Sequence, residues 1–172
     1  MVNLIIFGRN KSIGMIQRVQ TIYLLLAVIC GLLNFFLPYA QVYSGDVTLA
    51  EYAMFGVFNL QSDTLEMTGP YAFPAWIFGI LAVMIPAIAI FLFKKRPVQY
   101  RIARFAYIIN LAYAVYLFFS IDAVATALFD GDVRILHHFG FYLPVAAIPF
   151  CFLAVRGIKK DEALVKSLDR IR

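Results

Sequence analysis

The sequence is short of charge and has no paired cysteines, and each shortage excludes something. Charged residues are 15% of the 172 residues and hydrophobic residues 63%, against about 25% and about 45–50% in soluble domains. A water-soluble fold of this composition has too little polar surface to cover itself. The two cysteines, Cys30 and Cys151, lie in apolar segments, and neither belongs to a Cys-x-x-Cys pair. Counted from the inner ends of those segments, their depths differ by roughly 10 Å at about 1.5 Å per residue. That is too far for a disulfide, so both are read as small core residues. There is no Gly-rich phosphate loop, nucleophile elbow, catalytic carboxylate pair or metal-spaced cluster. The expectation is therefore no enzyme, no cofactor and no metal.

Four long apolar segments fill the chain: residues 19–38, 71–93, 105–121 and 139–155. Each is near the roughly 20 residues that cross a hydrocarbon core. The third reaches residue 129 if its helix continues past Asp122. No small-x-small cleavage site follows the first segment, which is read as a retained helix and not a signal peptide. The segments predict an all-α membrane protein: one domain, 1–172, built as an antiparallel four-transmembrane-helix bundle. The flanking charges orient it. Of the 15 Lys and Arg residues, Arg134 alone falls on the side that carries Asp46, Glu51, Asp63, Glu66, Asp130 and Asp132. All the others flank the opposite side, which places both termini in the cytoplasm. Tyr39, Tyr71, Trp76 and Tyr142 are placed as anchors at the outer interface, and Tyr23 and Tyr100 at the inner one. The net charge of +5 does not indicate nucleic acid, because the basic residues flank apolar spans and form no aromatic-interleaved stripe. Anionic lipid head groups at the cytoplasmic face account for them better.

The connections carry the remaining signals. Lys94–Arg104 reads as a hairpin connection in which Pro97 keeps the second helix from running into the third. Asp130-Gly131-Asp132 reads as a turn. The long outer loop, 39–70, contains Gln41–Tyr43 and Val47–Leu49 around Ser44-Gly45-Asp46, a short β-hairpin signature. Tyr52–Leu60 pairs with that hairpin or lies on the membrane surface. An isolated hairpin is marginal in water, so this partly β-structured loop must rest on the bundle or on a partner. Its aromatics make it the candidate docking surface. The tail, 161–172, reads as a separate amphipathic helix with Asp161 as N-cap, lying on the inner leaflet or gripping a cytoplasmic partner.

Ionisable groups inside a span are functional hypotheses by default, and the inner two-thirds of these spans have none. Asp122 is the nearest. It is an interfacial acid if the third helix ends there. If the helix runs on, it needs a partner such as Arg134, His137 or His138. The two histidines, placed at the outer start of the fourth helix, point in different directions and fit neither a haem nor a metal site. Asn110, with Tyr107 and Tyr113, puts a polar stripe along the third helix. Together with Asn34 and Ser120 it serves as interhelical glue or lines a pore or quinone pocket. Pro86, Pro144 and Pro149 fall inside spans. The candidate functional residues are thus Asp122, Arg134, Asn110, His137 and His138.

The stretch from Met15 through Gln17-Arg18-Val19-Gln20-Thr21 to Ala27 resembles the opening of an uncharacterised family of small four-helix inner-membrane proteins of the Bacteroidota. Lys160-Asp161-Glu162-Ala163 through Arg170-Ile171-Arg172 is similar to that family's ending, with Lys166 and Leu168 departing from its commonest form. The resemblance runs from Met15 to the C-terminus. It implies a multi-pass protein of the bacterial inner membrane and brings no activity with it. Members begin near Met15, so Met1–Gly14 is either an extension from an upstream start codon or a short interfacial segment. The leading expectation is a non-catalytic accessory or scaffolding subunit of an envelope complex, with a protein partner in the membrane. A small oligomeric channel or transporter is the rival, and a quinone- or lipid-interacting subunit the third reading.

Overall fold

The computed structural model describes residues 19–60, 64–66, 75–93, 95–128 and 133–169. Its helices are α1, described over Val19–Leu33, α2 (Ala75–Phe91), α3 (Arg96–Leu128) and α4 (Phe139–Asp169). Each buries one narrow stripe at spacings that alternate between four and three. On α1 the stripe is Gln20, Leu24, Ala27 and Gly31, continued by Asn34 just beyond the helix. On α2 it is Ala75, Gly79, Ala82, Pro86 and Ala89. On α3 it runs through Gln99, Ala103, Ala106, Asn110, Tyr113 and Leu117, and on α4 through Gly140, Pro144, Ala147, Cys151, Ala154, Ile158 and Asp161. That repeat is the seam of helices lying side by side. Most of these residues are small, which lets backbones approach: a Cβ on Gly31 would stand 2.7 Å from a methyl of Val83. The large side chains, among them Phe36, Ile80, Phe91, Phe105, Phe118 and Phe152, face outward. The usual pattern of big apolar residues within is inverted.

Three layers of side chains fill the bundle. Leu24, Ala89, Ala103, Ala154 and Ile158 form one at the end where the basic residues gather. Ala27, Ile85, Ala106, Ala147 and Cys151, with Cys30 against them, form the middle. Tyr113, Leu117, Ala75 and Ala82 join the sheet residues at the other end. Along the chain, α1 climbs through these layers, α2 descends, α3 climbs and α4 descends, so the bundle is antiparallel. The cysteines share a layer, which corrects the depth difference expected from the sequence; both thiols are free.

The sheet has five strands, β1 (Ala40–Ser44), β2 (Val47–Ala53), β3 (Gly56–Asn59), β4 (Thr64–Glu66) and β5 (Arg134–His137), in the order β4-β3-β2-β1-β5. The expected hairpin is β1–β2, closed by Gly45 at φ 58, a left-handed conformation that costs glycine least. Tyr52–Leu60 pairs with it through β3. One face, carrying Ala40, Ala50, Tyr52 and Val57 with Ile135, packs on Leu117, Ile121 and Val124 of α3. The β2–β3 turn is pinned to α2, because the missing side chain of Gly79 leaves the space that Met54 fills.

Several boundaries differ from the sequence reading. α1 gives way to a turn after Leu33, short of residue 38. The connection expected at Lys94–Arg104 is mostly helix, with Pro97 in the first turn of α3, where a missing N–H costs nothing. α3 runs past Asp122 to Leu128, in line with the longer of the two ends that the sequence left open, and its Ile121 and Val124 pack under the sheet. α4 continues to Asp169, so there is no separate tail helix over the described residues and Asp161 caps nothing. The histidines leave helix four: His137 ends β5, and His138 lies between β5 and α4. Tyr39 is wholly buried and is no interfacial anchor. The Asp130–Asp132 turn, Tyr71, residues 1–18 and the last three residues lie outside the described residues, as does any pairing of Arg134 with Asp130 or Asp132. α3 and α4 are long and apolar enough to cross a membrane.

Candidate functional site

The densest polar cluster sits where the sheet meets the bundle, and four tyrosines build it. Asn34 follows α1 and is fully buried. Its Nδ2 donates to the Gly140 carbonyl at 2.7 Å. Its Oδ1 accepts from the Tyr39 and Tyr113 hydroxyls, each at 2.7 Å, and those hydroxyls lie 2.6 Å apart. Two phenolic protons serve three short contacts, so one phenol can bond the other while its neighbour holds the amide. Beside them the Tyr52 hydroxyl donates to Ser120 Oγ at 3.3 Å, and Tyr116 hydrogen-bonds with both. Phe78 stacks on Tyr113 and Tyr116, with ring centroids 5.8 and 5.0 Å away. Burial, with Tyr113 alongside, holds the Tyr39 phenol above its ordinary range, since a desolvated phenolate is penalised. Neutral donors and acceptors thus bind the end of α1, the root of β1, the middle of α3 and the start of α4 into one lattice.

A second cluster closes the opposite end. Arg96 Nη1 lies 2.8 Å from Asp161 Oδ2, with the Asp161 side chain only 4% exposed and that of Arg96 22%. The approach is close but is not aligned as a hydrogen bond, so charge attraction carries it. Gln99 Nε2 donates to the Ala89 carbonyl at 3.1 Å. Gln20 Nε2 is buried without a partner among the described residues, beside a space of about 20 Å³ lined by Gln20, Arg96, Gln99 and Asp161, enough for one water. Asp161→Ala is expected to cost about 2–3 kcal/mol, below the roughly 3–5 of a fully buried pair because Arg96 is partly solvated. Chemical denaturation measures it. Adding Arg96→Leu to an Asp161→Leu change should recover most of the loss, and a double variant as unstable as Asp161→Ala would refute the account.

The third cluster lies on the outward face of the sheet. Gln41 Nε2 donates to Glu51 at 3.1 Å, and the Tyr43 hydroxyl donates to Gln41 Oε1 at 2.5 Å. His138 Nε2 lies 3.0 Å from the same oxygen, which can only accept, so that nitrogen carries a proton. Tyr43, Gly45, Asp46, Arg134 and Leu136 surround an open pocket of about 260 Å³ at the rim.

The five sequence candidates do not converge. Asn110 is buried but turned inward, donating to the Ala106 carbonyl of its own helix at 3.0 Å and lying 3.9 Å from Cys151 Sγ. Asp122 is exposed on α3, and no ion pair reaches it among the described residues. His137 packs its ring on Phe141, centroids 4.7 Å apart. Arg134 opens β5, and His138, just beyond that strand, reaches Gln41 of β1 with its ring. Sequence reasoning missed Tyr39, Tyr52 and Tyr116 in the lattice, and Gln20, Arg96 and Asp161 at the far end. Continuing the four-and-three spacing of α4 beyond Ala154 and Ile158 would have reached Asp161.

These features define a class: an antiparallel four-helix protein with small and polar residues turned inward, capped at one end by a five-stranded antiparallel sheet, with two helices long enough to cross a membrane. The chain belongs to the family described as a domain of unknown function, DUF4293, which it matches over residues 16–171. No match to a curated protein is found.

Proposed function

We propose that this chain is an integral protein of the bacterial inner membrane, of the Bacteroidota lineage that its terminal motifs resemble, and that it acts as a non-catalytic accessory or scaffolding subunit of an envelope complex. One observation carries the membrane reading: all the described helices turn large apolar side chains outward, over Phe105–Phe119 on α3 and Phe139–Leu153 on α4. Soluble monomers rarely expose contiguous apolar patches beyond a few hundred Å², whereas lipid is the natural solvent for such a coat. The charge-free stretches support it, since α3 carries none between Arg104 and Asp122, and α4 none before Arg156. α2 has 17 residues, about 26 Å, a few Å short of the roughly 30 Å hydrocarbon core. Flanking Leu92 and Phe93 or local thinning accommodates that difference.

The positive-inside rule then puts the Arg96–Asp161 end and both termini in the cytoplasm, and the sheet on the outer side. The tyrosine lattice supports a scaffolding role, because it holds a sheet face in a fixed pose on a membrane anchor. Single cysteines test the threading. In a Cys30→Ala, Cys151→Ala background, Ser44→Cys should react with an impermeant maleimide on intact spheroplasts, and Ser167→Cys only after lysis. The reverse pattern would overturn the orientation, and equal labelling of both would overturn the membrane reading. Copurification in mild detergent followed by mass spectrometry tests the subunit role, and a monomer with no stoichiometric partner would refute it.

A further inference from the structure

We infer that the rim pocket between the β1–β2 turn and β5 binds a small soluble zwitterion, an amino acid or the end of a short peptide. Two opposite charges border one open space: Arg134 on β5 and Asp46 in the turn both line the 260 Å³ pocket. Neither forms an ion pair with another described residue. A ligand with an oxyanion and an ammonium group answers both charges at once, and a singly charged one answers only half. The guanidinium offers a planar fork of donors that matches a carboxylate, and the Asp46 carboxylate accepts from an ammonium.

The remaining lining suits the same ligand. The Tyr43 hydroxyl spends its proton on Gln41, which leaves its oxygen free to accept from an ammonium N–H. A Cβ on Gly45 would meet nothing within 4 Å, so the turn backbone borders open space. Leu136, exposed on β5, supplies an apolar wall for the ligand's carbon atoms. At about 260 Å³ the volume is just under the roughly 300 Å³ at which drug-sized sites begin, and so fits a ligand of amino-acid or dipeptide size.

Position argues for a soluble source. The chain leaves the bundle at Tyr39 and returns at His138, whose N–H donates to the Tyr39 carbonyl at 2.8 Å. Tyr43 pairs with Arg134 at the far end of those strands, about 13 Å along β1 at roughly 3.3 Å per residue. Ammonium-and-oxyanion chemistry is shared with a phosphoethanolamine head group, but the rim stands away from the end of the bundle where head groups would lie.

Calorimetric titration of the full chain in detergent micelles tests this, with glycylglycine as the zwitterionic probe, acetate and ethylammonium as singly charged probes, and phosphoethanolamine as the head-group probe. Saturable binding of glycylglycine is expected, weakened at least tenfold by Arg134→Gln and by Asp46→Asn and by a smaller factor by Arg134→Lys, which keeps the charge and loses the planar fork. Acetate and ethylammonium should each bind at least tenfold more weakly. No saturable binding, equal binding by the charge-removing variants, or acetate binding as tightly as glycylglycine would overturn the inference. Tighter binding of phosphoethanolamine than of glycylglycine would overturn the soluble source.

Discussion

Asn34→Leu is expected to destabilise the protein by about 4 kcal/mol, since each buried polar group left unpaired costs roughly 1–3. The change strands two groups. The Gly140 carbonyl loses its donor, and of the two phenols 2.6 Å apart only one can donate to the other, so one hydroxyl proton has nowhere to go. The loss should be read by chemical denaturation and by faster amide exchange in β1 and β5, which the lattice ties to the bundle. Adding Tyr39→Phe and Tyr113→Phe to the same chain removes the stranded hydroxyls. It should recover part of the stability, because deleting both partners of a hydrogen bond costs far less than deleting one. If Asn34→Leu alone cost under about 1 kcal/mol, the lattice would not be what holds the sheet in place.

Gly140→Ala should lose about 3 kcal/mol or more, the upper part of the range for forced overpacking, although helix propensity alone predicts a gain of about 1 kcal/mol. The new Cβ would stand 2.4 Å from the Pro38 carbonyl oxygen, 2.5 Å from that of Leu37 and 2.8 Å from the Pro38 carbonyl carbon. These are backbone atoms of the α1–β1 connection, and they cannot swing aside. Moving them breaks the Gly140 N–H bond to the Pro38 carbonyl and the Asn34 bond together. Gly79→Ala is the matched control: its Cβ would fall 1.8 Å from Met54 Cε, the free end of a flexible side chain that can turn away. The Gly79 change should therefore cost less than half as much. Equal losses in the two variants would show that the crowding at Gly140 relaxes.

Legibility in the sequence followed the kind of signal. Apolar length located the helix centres, and Gly45 between two short alternating runs located the β1–β2 hairpin. Helix ends were misplaced wherever charge was taken as a terminator. Arg96, Arg101 and Arg104 lie inside α3, and Arg156 to Lys160 inside α4, because a charged side chain does not interrupt backbone hydrogen bonding. β5 was invisible, since Arg-Ile-Leu-His has little pattern of its own and becomes a strand only because the edge of β1 offers it partners. Tyr39 looked like an interfacial anchor because its position next to the first apolar segment says nothing about Asn34 and Tyr113, the latter 74 positions away along the chain.

The sequence alone determined the four apolar helices, their antiparallel order, the hairpin turn and the segregation of basic residues, all of which depend on residues near one another along the chain. Only the tertiary structure decided which face of each helix turns inward. When both faces are apolar, hydrophobicity ranks them nearly equal and the periodic signal fades. The choice then passes to size and hydrogen bonding across helices, where alanines and glycines permit close approach and Asn34, Asn110 and Asp161 need partners. Gly140 and Tyr113 against Asn34, Cys151 against Asn110 and Arg96 against Asp161 belong to other segments, so no single stretch of sequence reveals them.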